Sequence, residues 1–452
     1  MPTAANKGTD MILAQSLKVR VLSCNVALSL LCVLPATATA SATSAATSAA
    51  TSSTSAATST SSAPTSATFT TEPALAKRLD SAIDKAIASK KIVGTVVLVA
   101  KDGKIVYRRA AGLADRENNI AVKPDTIFRL ASMSKTIVSV AALSLIQSGK
   151  LKLDDPVKKW LPDFQPKLAD GSAPIITIRE LLTHTAGLDY LFSESDGGPY
   201  HKANVSDGMD QPGLGMQENL QRIASCPLLF SPGTRFHYSL SIDVLGAVLE
   251  KVAGKPLGEI VKETVTGPLG MADTAFTVTD KSRIAIPYVD GATEPKRMGE
   301  AEVMKSKDTD MHFAPARVFD DKSYPSGGAG LVGTAYDYLK LLEAIRTDNE
   351  KLLNRQTMFF LKLNQIGDLK AKDSPGWGFG YGSGVLFQAE KKYPYSVGTL
   401  EWGGAYGCHW FMDPAQKLSV VELTNTTLEG LFGKYSKDVT NAVYDFTPPD
   451  SK

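Results

Sequence analysis

The chain has 452 residues, 43% of them hydrophobic and 21% charged, enough apolar material for a large core organised as one or two domains. Its formal net charge is +2, and within residues 1–40 Lys7, Lys18 and Arg20 against Asp10 account for it, so the remainder is near neutral. No basic face points to nucleic acid, and no polybasic run points to an acidic membrane surface.

The N-terminus reads as a secretion signal. Lys18 and Arg20 precede an apolar stretch over 21–34, and residues 35–40 follow with small side chains at the A-x-A spacing, so cleavage is expected after Ala38 or Ala40. An apolar stretch of about fourteen residues is short for a membrane span, so the chain is expected to be exported, periplasmic or secreted, without stable membrane insertion after processing. Residues 41–72 are almost entirely Ser, Thr, Ala and Pro up to about Thr70. They lack the large apolar side chains that offset the entropy of ordering, and read as a disordered tether. Outside the signal only Cys226 and Cys408 remain, and two free thiols are expected.

Pro73 opens an amphipathic helix with Leu75, Leu79, Ile83 and Ile87 at four-residue spacing. Residues 94–100 and 105–110 read as strands joined by Lys101-Asp102-Gly103-Lys104, whose Asp-Gly pair is a hairpin signal. Ser132-Met133-Ser134-Lys135, the only S-x-x-K of the chain, then runs into an apolar stretch that predicts a buried helix from Ser132 to near Gly149. Residues three apart on a helix share a face, with about 5–6 Å between Cβ atoms, so the Lys135 amine approaches the Ser132 hydroxyl. A serine needs such a neighbour to take its proton as it attacks. A lysine does this only when neutral, a form favoured by burial, a second cation or the positive end of a helix. Taken alone, the tetrad equally fits an ordinary helix start with Ser132 as N-cap.

Helical segments near 178–182, 217–224 and 241–253 follow, separated by two long Gly-, Pro- and polar-rich loops, 189–217 and 280–324, expected to border a site entrance and to decide substrate range. Strand patterns return at 381–389, 395–402, 408–412 and 418–424, with a closing helix from about 428 to 444. This order predicts an α+β fold over 73–447: an antiparallel sheet flanked by helices, built from about 73–131 and 330–447, and a mostly helical second lobe from about 132–329, with the site between them.

Two later segments complete a pattern. One carries Tyr238-Ser239-Leu240, the other Trp402-Gly403-Gly404 followed by Ala405. With the S-x-x-K, in this order, they resemble the penicillin-recognising serine hydrolases: class C β-lactamases, D-Ala-D-Ala carboxypeptidases and family VIII carboxylesterases. The motifs of that superfamily are S-x-x-K, Y-x-N, and K-T-G or a variant such as H-G-G or W-G-G. Leu240 in place of the asparagine and Trp402 in place of the lysine point to the esterase branch. Family phrases at 181–188, 230–233, 268–271 and 328–335 extend the resemblance over about 73–447.

The resemblance implies a β-lactamase/transpeptidase-like fold and a role for each matching residue. Ser132 is the nucleophile that forms an acyl-enzyme. Lys135 and Tyr238 together handle its proton, and which of the two is the formal base stays open. The backbone N–H groups of Ser132 and Ala405 form the oxyanion hole. Trp402, Gly403, Gly404 and Leu240 are substrate-binding positions, the glycine pair admitting close approach of substrate.

No cofactor and no metal are implied, since there is no H-E-x-x-H, no paired Cys or His at ligand spacing, and no phosphate loop. A Ser-His-Asp triad has His184, His201, His237, His312 and His409 to draw on but no G-x-S-x-G elbow; His184 and His237 read as structural. The expected partner is a small-molecule ester with a short acyl group, hydrolysed by an exported serine esterase. A β-lactamase or D-Ala-D-Ala carboxypeptidase on the same scaffold is the first alternative, and an inactive peptidoglycan- or peptide-binding member the second.

Overall fold

The computed structural model of the protein describes residues 72–305, 310–369, 371 and 375–449. The expected signal, 1–40, and the tether, 41–72 apart from Glu72, lie outside them.

Pro73 stands in the first turn of helix α1 (Pro73–Ala88), where its missing N–H costs nothing, and the four-spaced Leu75, Leu79 and Ile83 are buried. Strands β1 (Gly94–Lys101) and β2 (Lys104–Asp115) follow. Asp102 and Gly103 both take positive φ, 52° and 77°, the conformation a two-residue hairpin of matching twist demands. β1 is buried on both faces: Val96 and Leu98 enter one core, Val97 and Val99 the other. Its nearly unbroken apolar run follows from that.

After β3 (Ile120–Ala121) the chain makes its helical excursion, of which helices α2 (Ser134–Gln147), α3 (Ser241–Ala253) and α4 (Ala335–Arg346) matter most here. It then returns as β4 (Trp377–Phe379), β5 (Gly384–Leu386), β6 (Leu400–Gly404), β7 (Cys408–Asp413) and β8 (Leu418–Thr424). The sheet order is β4-β5-β6-β7-β8-β1-β2-β3 and every pairing is antiparallel. The first and last segments therefore join in one sheet, with Thr95 opposite Thr424 and Lys101 opposite Leu418. Helices α5 (Thr427–Leu431) and α6 (Lys434–Tyr444) close the chain. Leu79 and Ile83 of α1 and Tyr435 and Val439 of α6 cover one face of the sheet, while the other packs on the larger core that contains α2, α3 and α4. The α+β, β-lactamase/transpeptidase-like class read from the sequence is the fold observed.

Three elements differ from expectation, each for a tertiary reason. The strand expected over 381–389 shortens to β5, Gly384–Leu386, because its first residues form the corner from β4: Gly382 has φ +90°, its carbonyl accepts the Thr136 hydroxyl at 2.9 Å, and a Cβ there would sit 2.5 Å from Ser139 Oγ. The strand expected from 395 begins only at Leu400: the Ser396 N–H goes to Asp413 Oδ2 (3.1 Å), and Gly398 takes a turn conformation with φ +92°. The single closing helix is two, separated at Phe432-Gly433. Cys226 and Cys408 are both buried free thiols.

Candidate active site

A short strand, Phe128–Arg129, paired with Val332–Gly333, leads into the nucleophile turn. Arg129 is buried, with no ion-pair partner among the described residues. Its guanidinium instead donates to Pro315 O (2.7 Å) and Ala285 O (2.9 Å), tying the strand to two later loops, and burial lowers its pKa to about 10. Ala131 has φ +43°, a left-handed conformation that costs an L-residue about 1–2 kcal/mol. Ser132 then lies in a 3₁₀ turn, Ala131–Met133, and α2 starts only at Ser134, so Ser132 is neither an N-cap nor the first α-helical residue. Three residues per turn place positions i and i+3 directly above one another. Lys135 Nζ donates to Ser132 Oγ at 3.1 Å and to Gly328 O at 2.7 Å, and Lys135 is fully buried.

Tyr238 enters from the loop before α3. Lys135 Nζ lies 4.7 Å from its ring centroid and 5.4 Å from that of Tyr190, within reach of both π faces. The Tyr238 ring also packs against His184 (4.7 Å), Trp402 (5.2 Å) and Tyr190 (5.3 Å). Its hydroxyl is buried and has no hydrogen-bond partner among the described residues. An unsatisfied buried hydroxyl costs about 1–3 kcal/mol, and catalysis is one of the reasons a protein keeps one.

His184 packs beside Tyr238. It is fully buried, and burial first, then the charges of Lys135 and His237, hold its imidazole well below the ordinary range. Its Nδ1 accepts the Ser239 N–H at 3.1 Å, steadying the residue next to Tyr238. His237 Nε2 is 2.6 Å from Asp189 Oδ1, outside the cavity that holds Ser132.

β6 brings the third segment. Side chains alternate along a strand, so the Trp402 ring faces Tyr238 and Phe379, while Glu401 and Gly403 face the other way. Of the glycine pair, Gly403 lines the cavity and Gly404 does not, and both are needed for packing. A Cβ on Gly404 would run into Leu130 O, and one on Gly403 into Leu431 and, at 2.8 Å, Cys408 O. The missing side chains let β6 pass backbone to backbone along the nucleophile turn and under α5, and Gly404 does not line the cavity. Gly404→Ala is therefore expected to lower Tm by several degrees and activity at least about tenfold, since only movement of the turn relieves the clash. An unchanged thermal melt and rate would refute this packing role.

Leu240 is a second correction. It is fully buried in the core at the start of α3, donating its N–H to Asp189 O at 3.2 Å, and it does not line the cavity. The chain turns into α3 there, so the residue two beyond Tyr238 no longer shares its side.

The other predicted site residues come together. Ser132, Tyr238, Trp402, Gly403 and Ala405 line one mostly apolar cavity of about 660 Å³, with Lys135 behind Ser132. Tyr190, Phe192 and Met209 from loop 189–217 and Met311 from loop 280–324 contribute to its wall. Sequence reasoning missed two buried carboxylates beside it. Asp207 accepts the Leu191 and Phe192 N–H groups at 2.9 and 3.1 Å, which holds that wall in place, and burial pushes its carboxyl well above the ordinary range. Asp243 lies in the first turn of α3, and its signal was an acid within the apolar run Ile242-Asp243-Val244-Leu245.

A serine held by a buried lysine beside a phenol, at the end of an antiparallel sheet with a helical flank, defines a serine hydrolase of the β-lactamase/transpeptidase-like fold. The chain belongs to the beta-lactamase family, whose model matches residues 79–440. It is 47% identical over 375 residues to the esterase EstB of Burkholderia gladioli, covering 82% of this chain and 95% of that one. A solved structure described as EstCE1, a hydrolase with promiscuous acyltransferase activity, superposes with a TM-score of 0.80 at 45% identity, over 82% of this chain and 98% of the other. The octameric penicillin-binding protein homologue from Pyrococcus abyssi shares the fold, with a TM-score of 0.62 at 23% identity over 81% and 76% of the two chains. The resemblance to family VIII carboxylesterases read from the motifs thus holds along the domain.

Proposed function

We propose that this protein is an exported esterase that hydrolyses small, uncharged carboxylic esters through an acyl-enzyme on Ser132. The observation that carries the reading is the Lys135–Ser132 contact beside the unpartnered Tyr238 hydroxyl, opening on an aromatic-walled cavity. The 45–47% identity to EstCE1 and EstB supports ester chemistry.

In this mechanism Ser132 Oγ attacks the ester carbonyl as its proton passes to the Lys135/Tyr238 pair. The backbone N–H groups of Ser132 and Ala405, both residues of the cavity wall, receive the oxyanion. The intermediate collapses to the acyl-enzyme while the pair protonates the leaving alcohol. Water then gives its proton to the same pair and attacks the acyl carbonyl, and Ser132 departs with a proton returned to it. Tyr190, Phe192 and Trp402 offer apolar surface to the acyl or alcohol group. An alcohol replacing water in the last stage would give acyl transfer by the same groups.

Intact-mass measurement of the exported protein, given a panel of esters and β-lactams, tests the reading. Expected are a mass beginning after Ala38 or Ala40 and, with an ester, an adduct of one acyl group that Ser132→Ala abolishes. An adduct that persists in Ser132→Ala would place the nucleophile elsewhere, and an intact Met1 would contradict export.

A further inference from the structure

Asp243 sits five residues after Tyr238 and is fully buried. Its Oδ1 accepts the Ser326 hydroxyl at 2.5 Å, and its Oδ2 lies against the Gly328 backbone. Ser326 Oγ also accepts the Ala329 N–H at 2.9 Å, so the carboxylate anchors the turn over 326–330. Gly328 of that turn stands between carboxylate and amine. Its carbonyl accepts from Lys135 Nζ at 2.7 Å, and a Cβ on it would run into Asp243 Oδ2 and lie 3.3 Å from Lys135 Nζ. One glycine backbone is all that separates the carboxyl from the amine. This packing accounts for the first glycine of the Gly328-Ala329-Gly330 phrase.

We infer that Asp243 is a positioning residue for the Lys135/Tyr238 pair: it holds the Gly328 carbonyl on Lys135 and sets a negative charge beside the pair, so that the pair accepts the Ser132 proton more readily. This rests on the esterase reading above. The other groups facing Asp243 are Lys135 of α2, Arg317 of the 280–324 loop, and the buried Tyr190, Asp207 and Tyr324. Burial pushes the Asp243 carboxyl above the ordinary carboxylate range, and the Ser326 hydroxyl, Lys135, Arg317 and the Gly328 N–H oppose that shift. For an acid raised in this way, the fold is favoured below the unfolded-state pKa and loses that advantage as pH rises through the folded one.

The test is Asp243→Asn and Ser326→Ala in the full chain, with kcat and KM for p-nitrophenyl butyrate followed from pH 5 to 9 beside thermal unfolding. Asp243→Asn is expected to lower kcat about 10- to 100-fold, to leave KM within about threefold, and to move the acidic limb of the kcat/KM profile to lower pH by about 0.5–1.5 units, because losing a nearby negative charge weakens the base. Its Tm at pH 7 should stay within a few degrees of the parent. Ser326→Ala, which strips the carboxylate of its donor, should shift the limb in the same direction by less, and it decides the question if Asp243→Asn does not fold. An acidic limb unmoved in the folded variants would overturn the inference, as would a loss of kcat matched by a loss of folded protein. Ester hydrolysis surviving in Ser132→Ala would overturn the esterase reading itself; a dead Ser132→Ala with an unmoved limb would remove only the role of Asp243.

Discussion

Ser132→Ala is expected to lower kcat for ester hydrolysis by about four to six orders of magnitude and to abolish labelling by a fluorophosphonate, the scale of loss when a hydrolase nucleophile is removed. The change deletes one oxygen from a half-buried site, so folding should persist and the loss should be one of chemistry. Tyr238→Phe sharpens the test. Ring packing against Trp402, Tyr190 and His184 is retained, and the hydroxyl removed has no hydrogen-bond partner among the described residues. Stability should therefore be unchanged or higher while kcat falls about 10²- to 10⁴-fold, the usual worth of a positioned proton-transfer group. A structural tyrosine would show the reverse, with Tm falling and kcat near normal. Stopped assays on both variants, beside their thermal melts, separate the two cases.

The second large effect is discrimination between esters and β-lactams. In β-lactam-cleaving relatives the third-motif lysine puts a cation near the substrate carboxylate, and the second-motif asparagine hydrogen-bonds the amide side chain. Here a tryptophan occupies the first position, its ring 5.2 Å from that of Tyr238, and a core leucine with no surface on the cavity occupies the second. A charge-assisted hydrogen bond contributes about 1.5–3 kcal/mol and a neutral one about 0.5–1.5, so losing both costs roughly 2–4.5 kcal/mol, or about 30- to 2000-fold. Lys392 and Lys437 also line the cavity, but both are solvent-exposed, where a screened cation restores little. The kcat/KM for p-nitrophenyl butyrate is accordingly expected to exceed that for any penicillin by at least about a hundredfold. Both constants measured on one preparation decide it; a penicillin hydrolysed as efficiently as the ester would remove the esterase assignment.

Much of this site was legible because its parts are local. Ser132 and Lys135 meet through spacing alone, and a 3₁₀ turn in place of the first α-helical turn does not separate residues three apart. The Asp102-Gly103 corner, the start of α1 at Pro73 and the double-sided burial of β1 follow equally from short-range chemistry. Tyr238 and Trp402 could be placed only through the ordered resemblance, because nothing near them in the chain says which wall they face.

The remaining features belong to the tertiary structure. Gly404 is glycine because Leu130 O passes against it, Gly328 because the Asp243 carboxylate does, and Leu240 leaves the site because the chain turns into α3 at that point. Each depends on an atom brought in from a distant segment or on the path the folded backbone takes, and periodicity and composition carry no record of either. What the sequence determined by itself was the set of reactive groups and their local spacing. Which groups share a cavity, and which glycines face backbone rather than substrate, was decided when β6 and the 326–330 turn closed on the nucleophile, since close packing leaves each atom one neighbour or another and only the assembled chain supplies it.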